Sequence, residues 1–281
     1  FQSVPFLCEF YLVNQLYHNC GAFSRGAGNI SQNIHQEALT WTENRPILIL
    51  INSDEQLKIG LFTQIKRFWR LWMKYILLHG MGQNASGWDK MISYMKSDAE
   101  TVRPELSDFF AEGNCLYSEI YARFCRYCSG FSEKINFCGL SLGAVLALNY
   151  AIDFPHRVNS LILIAPQYKM PKFLLKIQNV IFKFMPENNF KETGFTKKDF
   201  MSLTNSMAYL DFTNDIGNVT HPALILCGEK DNANKKAAAK LAQALPNAKF
   251  GLIKSSGHEV NVDNPHDLAS FIADAEAYLN E

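Results

Sequence analysis

From residue 73 onward, short segments that read as strands, most of them apolar-rich, alternate with stretches whose apolar positions recur every third or fourth residue. The strand segments fall at 75–78, 101–106, 135–138, 158–164, 222–227 and 249–253, and the one at 135–138 reads as buried. Between them, residues 86–95, 117–128, 144–152, 235–244 and 266–279 carry the spacing of helices. Ser86 is a candidate cap for the first of these, and Pro155 stops the third. Strands and helices in alternation predict an α/β fold.

Residues 166–215 break the alternation. There Phe173, Leu174, Ile177, Val180, Ile181 and Phe184 follow helical spacing, with Lys172, Lys176 and Lys183 elsewhere on the helix surface. The expectation is a helix whose apolar face both covers the core and lines an apolar pocket. Contact of the lysines with lipid is the remaining alternative.

Residues 1–72 follow no such pattern. Residues 18–45 are polar with little periodicity, whereas 46–62 reads as a β-hairpin: an apolar run at 47–51, a polar turn at 52–55, and a second strand at 57–62. The basic and aromatic stretch Lys66-Arg67-Phe68-Trp69-Arg70-Leu71-Trp72 then leads to Met73. The expected organisation is an N-terminal extension over 1–72 and one domain over 73–281. Two readings of the extension stay open. It is an ordinary extension, or it is upstream sequence read through before a native start at Met73. The second draws on Trp69-Arg70, which TGG-AGG can encode, placing a GGAGG ribosome-binding sequence just ahead of Met73. A basic-aromatic membrane anchor is a third and less favoured reading.

Composition narrows the partners. Of the 281 residues, 48% are hydrophobic and 19% charged, which suits a globular chain with a sizeable core. Lys plus Arg and Asp plus Glu each number 27, so no global field points to nucleic acid. The seven cysteines are odd in number and lack framework spacing, which argues for a reducing compartment. Cys125 and Cys128 form a C-x-x-C without further ligands arranged for zinc, and they read as buried thiols, as do Cys138 and Cys227. The N-terminus has no basic leading region, Glu9 interrupts its apolar stretch, and no apolar run reaches the length of a membrane span. Cytoplasmic location without stable membrane insertion is expected.

The chemistry concentrates at Gly139-Leu140-Ser141-Leu142-Gly143, between a predicted strand and a predicted helix. A strand that turns straight into a helix bends sharply, and small residues two positions to either side of the serine let the two approach. The serine hydroxyl is then held at a helix N-terminus, where backbone N–H groups favour developing negative charge. Downstream, Asp231 follows the strand that ends in Gly228, and His258 follows the last strand, within Ser255-Ser256-Gly257-His258-Glu259.

With these motifs in this order, the chain from about Met73 to the C-terminus resembles the α/β-hydrolase fold serine hydrolases, in particular small bacterial-type esterases. The resemblance implies a mostly parallel sheet flanked by helices, with a small helical lid over about 166–215. It implies a catalytic set in the chain order Ser141, Asp231, His258: nucleophile, orienting acid and general base. Glu229 is a nearby rival for the acid. Some relatives take the acid from the preceding strand's end, but Ala165-Pro166-Gln167 offers no carboxylate. The resemblance places the oxyanion N–H donors at Leu142 and Met81, in a loop where His79 supports the backbone and Gly80 and Gly82 permit close approach. Pro104-Glu105-Leu106 stands where the family usually has Pro-Asp-Leu.

The implied activity is hydrolysis of a carboxylic ester or related acyl bond through an acyl-enzyme on Ser141. The substrate would be a small acyl compound with an apolar moiety, and neither metal nor organic cofactor is implied. Three alternatives stay open. A lyase of the menaquinone-synthase type often carries Gly then Arg after the elbow's last glycine, where this chain has Ala144 and Val145. An aminopeptidase of the proline-iminopeptidase type would want an acidic cluster, which Glu187 and Glu192 do not clearly make. A non-catalytic member would use the fold only to bind a ligand.

Overall fold

The computed structural model describes residues 37–42, 45–50, 74–95, 100–110, 115–188, 190 and 195–279. The chain divides into two compact units, Phe1–Arg67 and Phe68–Glu281. In the first, β1 (Glu37–Thr42) pairs antiparallel with β2 (Arg45–Leu50). The apolar run at 47–51 is therefore the second strand of a hairpin and not the first, with Leu39 opposite Leu48 and Thr40 opposite Ile47. Only Glu43-Asn44 separates the strands in sequence, and a two-residue polar connection is the commonest hairpin link. The expected second strand at 57–62 lies outside the described residues.

The second unit holds β3 (Lys74–Leu78), β4 (Glu100–Val102), β5 (Ile135–Leu140), β6 (Val158–Ile164), β7 (Ala223–Gly228) and β8 (Ala248–Ile253). They form one sheet in the order β4-β3-β5-β6-β7-β8, and every neighbouring pair is parallel. Buried on both faces, central strands of a parallel sheet read as unbroken apolar runs; β5 and β7 are buried at every position. At the sheet edge, β8 mixes buried and exposed residues. The strand expected at 101–106 is shorter, because Pro104 has no N–H to give a ladder and the chain winds into a 3₁₀ turn at Leu106–Phe109.

Helices flank this sheet. The helix expected at 86–95 is a 3₁₀ turn, Ala85–Trp88, followed by α1 (Asp89–Tyr94). Its cap is Asn84, not Ser86: the Asn84 side chain accepts the Ser86 N–H at 3.0 Å. Next, α2 (Tyr117–Ser129) buries the stripe Tyr117, Ile120, Phe124 and Cys128. By contrast α3 (Leu142–Asp153), which packs on β3, β5 and β6, is buried all round from Leu142 to Ala151. Rings of Phe124, Phe137 and Tyr150 meet beneath it at 5.5–5.8 Å. Further along, α6 (Lys235–Ala244) covers β7 and β8, and α8 (Pro265–Leu279) packs on β6, β7 and α1. The short α7 (Val260–Asp263) precedes α8. Cys115, Cys125, Cys128, Cys138 and Cys227 are all free thiols.

Between β6 and β7 the chain inserts α4 (Lys172–Phe184) and α5 (Lys197–Met207), which pack on each other. Phe182, Phe190, Phe195 and Phe200 form an aromatic cluster between them, with centroids 4.9–6.0 Å apart, and Phe195 meets Phe110 at 4.2 Å. The face of α4 that turns inward is not the expected one. Leu175, Gln178 and Phe182 turn inward, whereas Phe173 (73% exposed), Ile177, Val180, Ile181 and Phe184 (81%) turn outward. Phe182 joins the buried aromatic cluster and thereby fixes the helix rotation, leaving the larger apolar stripe on the outside.

Candidate active site

Ser141 sits between β5 and α3 with φ 53° and ψ −110°, a strained conformation for a residue with a Cβ. Its N–H donates to Ile164 O at 2.9 Å, and its carbonyl accepts the Val145 N–H at 3.0 Å. Both flanking glycines are required by space. A Cβ on Gly139 would lie 2.5 Å from the Gly143 carbonyl, and one on Gly143 would lie 2.2 Å from Leu78 O. Tight packing of α3 against β3 and β5 thus holds the strain, which costs about 1–3 kcal/mol in such sites.

The loops after β7 and β8 are brought together in a similar way. A Cβ on Gly228 would lie 1.9 Å from Gly257 O. The contact is sealed by Lys230 N–H donating to Ser256 O and Glu229 N–H donating to Ile253 O, each at 2.9 Å. As a result His258 Nδ1 lies 2.7 Å from Asp231 Oδ2. The Asp231 side chain is 4% exposed and that of His258 42%. Burial alone would raise the Asp231 carboxyl. Hydrogen bonds from His258 and Asn234 outweigh that and hold it below the ordinary carboxylate range. With Nδ1–H given to an ionised Asp231, Nε2 is left as the accepting nitrogen. Glu229, the rival acid, instead accepts the Ser255 N–H at 3.0 Å.

Two residues of this cluster escaped the sequence reading. Asn234 Nδ2 lies 2.9 Å from both Asp231 oxygens, and its main-chain N–H donates to Oδ1 at 3.2 Å. Gln167 Nε2 in turn donates to Asn234 Oδ1 at 2.7 Å. The spacing Asp231-x-x-Asn234 was a usable signal, since a carboxylate readily accepts N–H groups a few residues ahead. For Gln167 the signal was its place after β6, where some relatives keep the acid.

His79 is fully buried at the end of β3. Its Nδ1–H donates to Gly80 O at 2.9 Å, and its Nε2 accepts the Leu106 N–H at 3.0 Å. Burial lowers its pKa, against the opposing pull of the Gly80 carbonyl and the Glu105 carboxylate. Neutral His79 therefore ties the loop after β3 to the turn after β4. Glu105 also accepts the Ala85 N–H at 3.0 Å, bracing the same loop. Gly82 has φ 93°, which explains that glycine by conformation. Gly80 differs from the expectation: a Cβ there would make ordinary contacts, 3.5 Å from Leu140 and 3.6 Å from Ser141 Cβ, so close backbone approach does not require it.

Ser141, Asp231, His258, Met81 and Leu142 all border one cavity of ≈ 350 Å³. Ser141 and His258 face it together without a hydrogen bond between their side chains. The cavity opens where β3 leads to β4 on one side and β5 lies on the other, the switch point at which open parallel sheets bind ligands. Val145 and Ala165 wall it from the body, and Met170, Leu175, Gln178 and Met207 from the insertion. No lysine or arginine borders it, and Asp231 is its one carboxylate among the described residues. No group of three metal-ligating side chains occurs among the described residues.

The model of the Alpha/beta hydrolase family matches residues 75–271. A pimeloyl-[acyl-carrier protein] methyl ester esterase of Aliivibrio salmonicida is 24% identical over 130 residues, 46% of this chain; the match spans only half of that relative's length. The enzyme of the same name from Vibrio parahaemolyticus is 22% identical over 219 residues, covering 65% of this chain and 86% of the relative. Among solved structures, MenH from S. aureus superposes with a TM-score of 0.64 at 16% identity, covering 74% of this chain and 95% of that one. That likeness is one of fold.

Proposed function

Since the chain belongs to the alpha/beta hydrolase family, we propose that it is a serine esterase that cleaves small neutral carboxylic esters through an acyl-enzyme on Ser141. In this reading Ser141 Oγ attacks the ester carbonyl carbon while His258 Nε2 takes the hydroxyl proton. The N–H groups of Leu142 and Met81 receive the oxyanion. Collapse of the tetrahedral intermediate breaks the C–O bond, and His258 returns the proton to the departing alcohol. Water, deprotonated by His258, then releases the acid. Asp231 fixes the imidazole tautomer and balances its charge, and the 2.7 Å contact between Asp231 and His258 on the cavity that holds Ser141 is the observation that carries the proposal.

The walls support the substrate class. A cavity of ≈ 350 Å³ is at the small end for a ligand site, and with no lysine or arginine among the described residues that line it an acyl group ending in a carboxylate finds no partner among them. An apolar acyl chain with an uncharged end fits Leu175, Met170 and Met207. The names of the two esterase relatives point to an ester substrate as well, theirs being a methyl ester of an acyl chain carried on a protein. The lyase reading weakens because Val145, at the position where such enzymes often carry arginine, is an apolar wall residue. The aminopeptidase reading weakens because the one carboxylate among the described wall residues, Asp231, is committed to His258; Glu187 does not border the cavity, and Glu192 lies outside the described residues. The lid role of α4 and α5 rests on Leu175, Gln178 and Met207 roofing the cavity. The odd number of cysteines, without framework spacing, supports a reducing compartment such as the cytoplasm.

Intact-mass spectrometry after treatment with a fluorophosphonate tests the mechanism. One adduct on the wild type, absent from Ser141→Ala, is expected. A folded wild type that takes up no adduct would favour the non-catalytic reading, and an adduct that persists in Ser141→Ala would mean another nucleophile.

A further inference from the structure

The outer face of α4 carries an apolar surface with no role in the cavity. Phe173, Ile177, Val180, Ile181 and Phe184 project from it, and the two phenylalanines at its ends are the most exposed of the five. At about 100° per residue these five fall on one stripe, and Lys172, Lys176 and Lys183 align along one flank of it, roughly a quarter-turn away. No acidic side chain interrupts either band, since α4 contains no Asp or Glu. Tyr209, 80% exposed in the turn after α5, extends the surface: Lys172 Nζ lies 5.3 Å from its ring centroid. A tyrosine with an apolar body and a polar tip is a common resident of a water–apolar boundary.

We propose that the outer face of α4 docks this protein on an anionic lipid surface. Charge complementarity selects the partner. Lying parallel to a bilayer, the helix would bury its phenylalanines, isoleucines and valine at the acyl boundary and hold its lysines among anionic headgroups. An apolar groove on an acidic protein would accept the same stripe, and the experiment below separates the two. No helix among the described residues is long and apolar enough to cross a membrane, so the contact is one of surface docking. The inner face of the same helix supplies Leu175 and Gln178 to the cavity, which places that surface one helix thickness from the site. The docking proposal itself stands independently of the esterase reading.

Sedimentation of the full chain with phosphatidylcholine vesicles, with and without phosphatidylglycerol, tests it. Because Lys66–Trp72 is also basic and aromatic, the decisive quantity is the difference between variants. The double variant Phe173→Ser/Phe184→Ser is expected to lower partitioning onto phosphatidylglycerol vesicles at least about tenfold, as loss of two buried aromatic side chains requires. Lys176→Glu/Lys183→Glu is expected to lower it by about tenfold or more at low salt and much less at high salt. Circular dichroism shows whether each variant, altered only at exposed positions, is folded. Folded variants that partition like the wild type would overturn the proposal. So would a concentration-dependent dimer, abolished by the same substitutions in vesicle-free solution, with no difference on vesicles; the face would then be a self-association surface. Capture of an acidic carrier protein by the wild type but not the variants, again with no vesicle difference, would overturn it in favour of a protein partner.

Discussion

A carboxylate that must orient a half-exposed histidine has to stay ionised and stay still, and Asp231 is held to both by Asn234. Replacing Asp231 with Asn keeps the shape but presents an N–H₂ or a neutral oxygen to His258, so the imidazole loses its tautomer preference. Asp231→Asn is expected to lower kcat/KM by about 10³–10⁴-fold with little change in melting temperature. The same residue gives a pH prediction. Burial would raise its folded pKa, but hydrogen bonds from His258 and Asn234 hold it below that of the unfolded chain, so the ionised group stabilises the fold above the unfolded pKa and loses this contribution as pH falls through the folded one. Asn234→Ala removes donors to the carboxylate and leaves it less depressed. Its acid-unfolding midpoint, followed by circular dichroism, is expected to move to higher pH than in the wild type. An unmoved midpoint would mean that Asn234 does not hold Asp231 ionised. His79 acts on backbone instead: His79→Ala would leave the Leu106 N–H buried without its acceptor, at a cost of about 1–3 kcal/mol read from denaturant unfolding.

At the scale of elements, the parts legible in the sequence were those whose environment is uniform along their length. Residues 161–164 and 223–227 are apolar throughout because a central parallel strand is buried on both faces, and 117–128 shows one clear stripe because α2 has one buried side. Illegible were features set by a distant neighbour. The rotation of α4 depends on where Phe182 finds Phe190 and Phe200. Two other departures are local, the cap of the first turn being the Asn84 side chain two residues ahead of Ser86 and β4 stopping early because of Pro104. Likewise Asp231 and His258 could be placed by motif, and Asn234 lies only three residues from Asp231, whereas Gln167, which holds Asn234, follows a strand far away in sequence. Glycine shows the same distinction, since the sequence treats Gly80 and Gly143 alike. Gly143→Ala would drive a methyl to 2.2 Å from the Leu78 carbonyl and is expected to prevent folding or lower the melting temperature strongly. Gly80→Ala meets only ordinary contacts and is expected to fold with the wild-type melting temperature. Equal losses in both would show that the loop after β3 is as tightly packed as the elbow.

At the scale of the whole molecule, one topological fact gathers the site. Because β3 and β5 are neighbours but their following segments diverge to opposite sides, a crevice opens at their carboxyl ends, between the Met81 loop and Ser141. The loops after β7 and β8 bring Asp231 and His258 to the same edge, and the insertion after β6 roofs it. Every one of these parts lies in the unit Phe68–Glu281. The first unit's hairpin makes a sheet of its own. A chain of residues 73–281 is therefore expected to fold cooperatively and to cleave a soluble short-chain ester with unchanged kcat/KM. The comparison should use such an ester, because vesicle-bound substrates would mix turnover with any contribution of Lys66–Trp72 to docking. If the shortened chain folds but loses turnover on the soluble ester, the N-terminal unit acts on the site directly. If it keeps turnover yet partitions less onto vesicles, the first unit shares docking with α4, and surface attachment and chemistry are then separable properties of one chain.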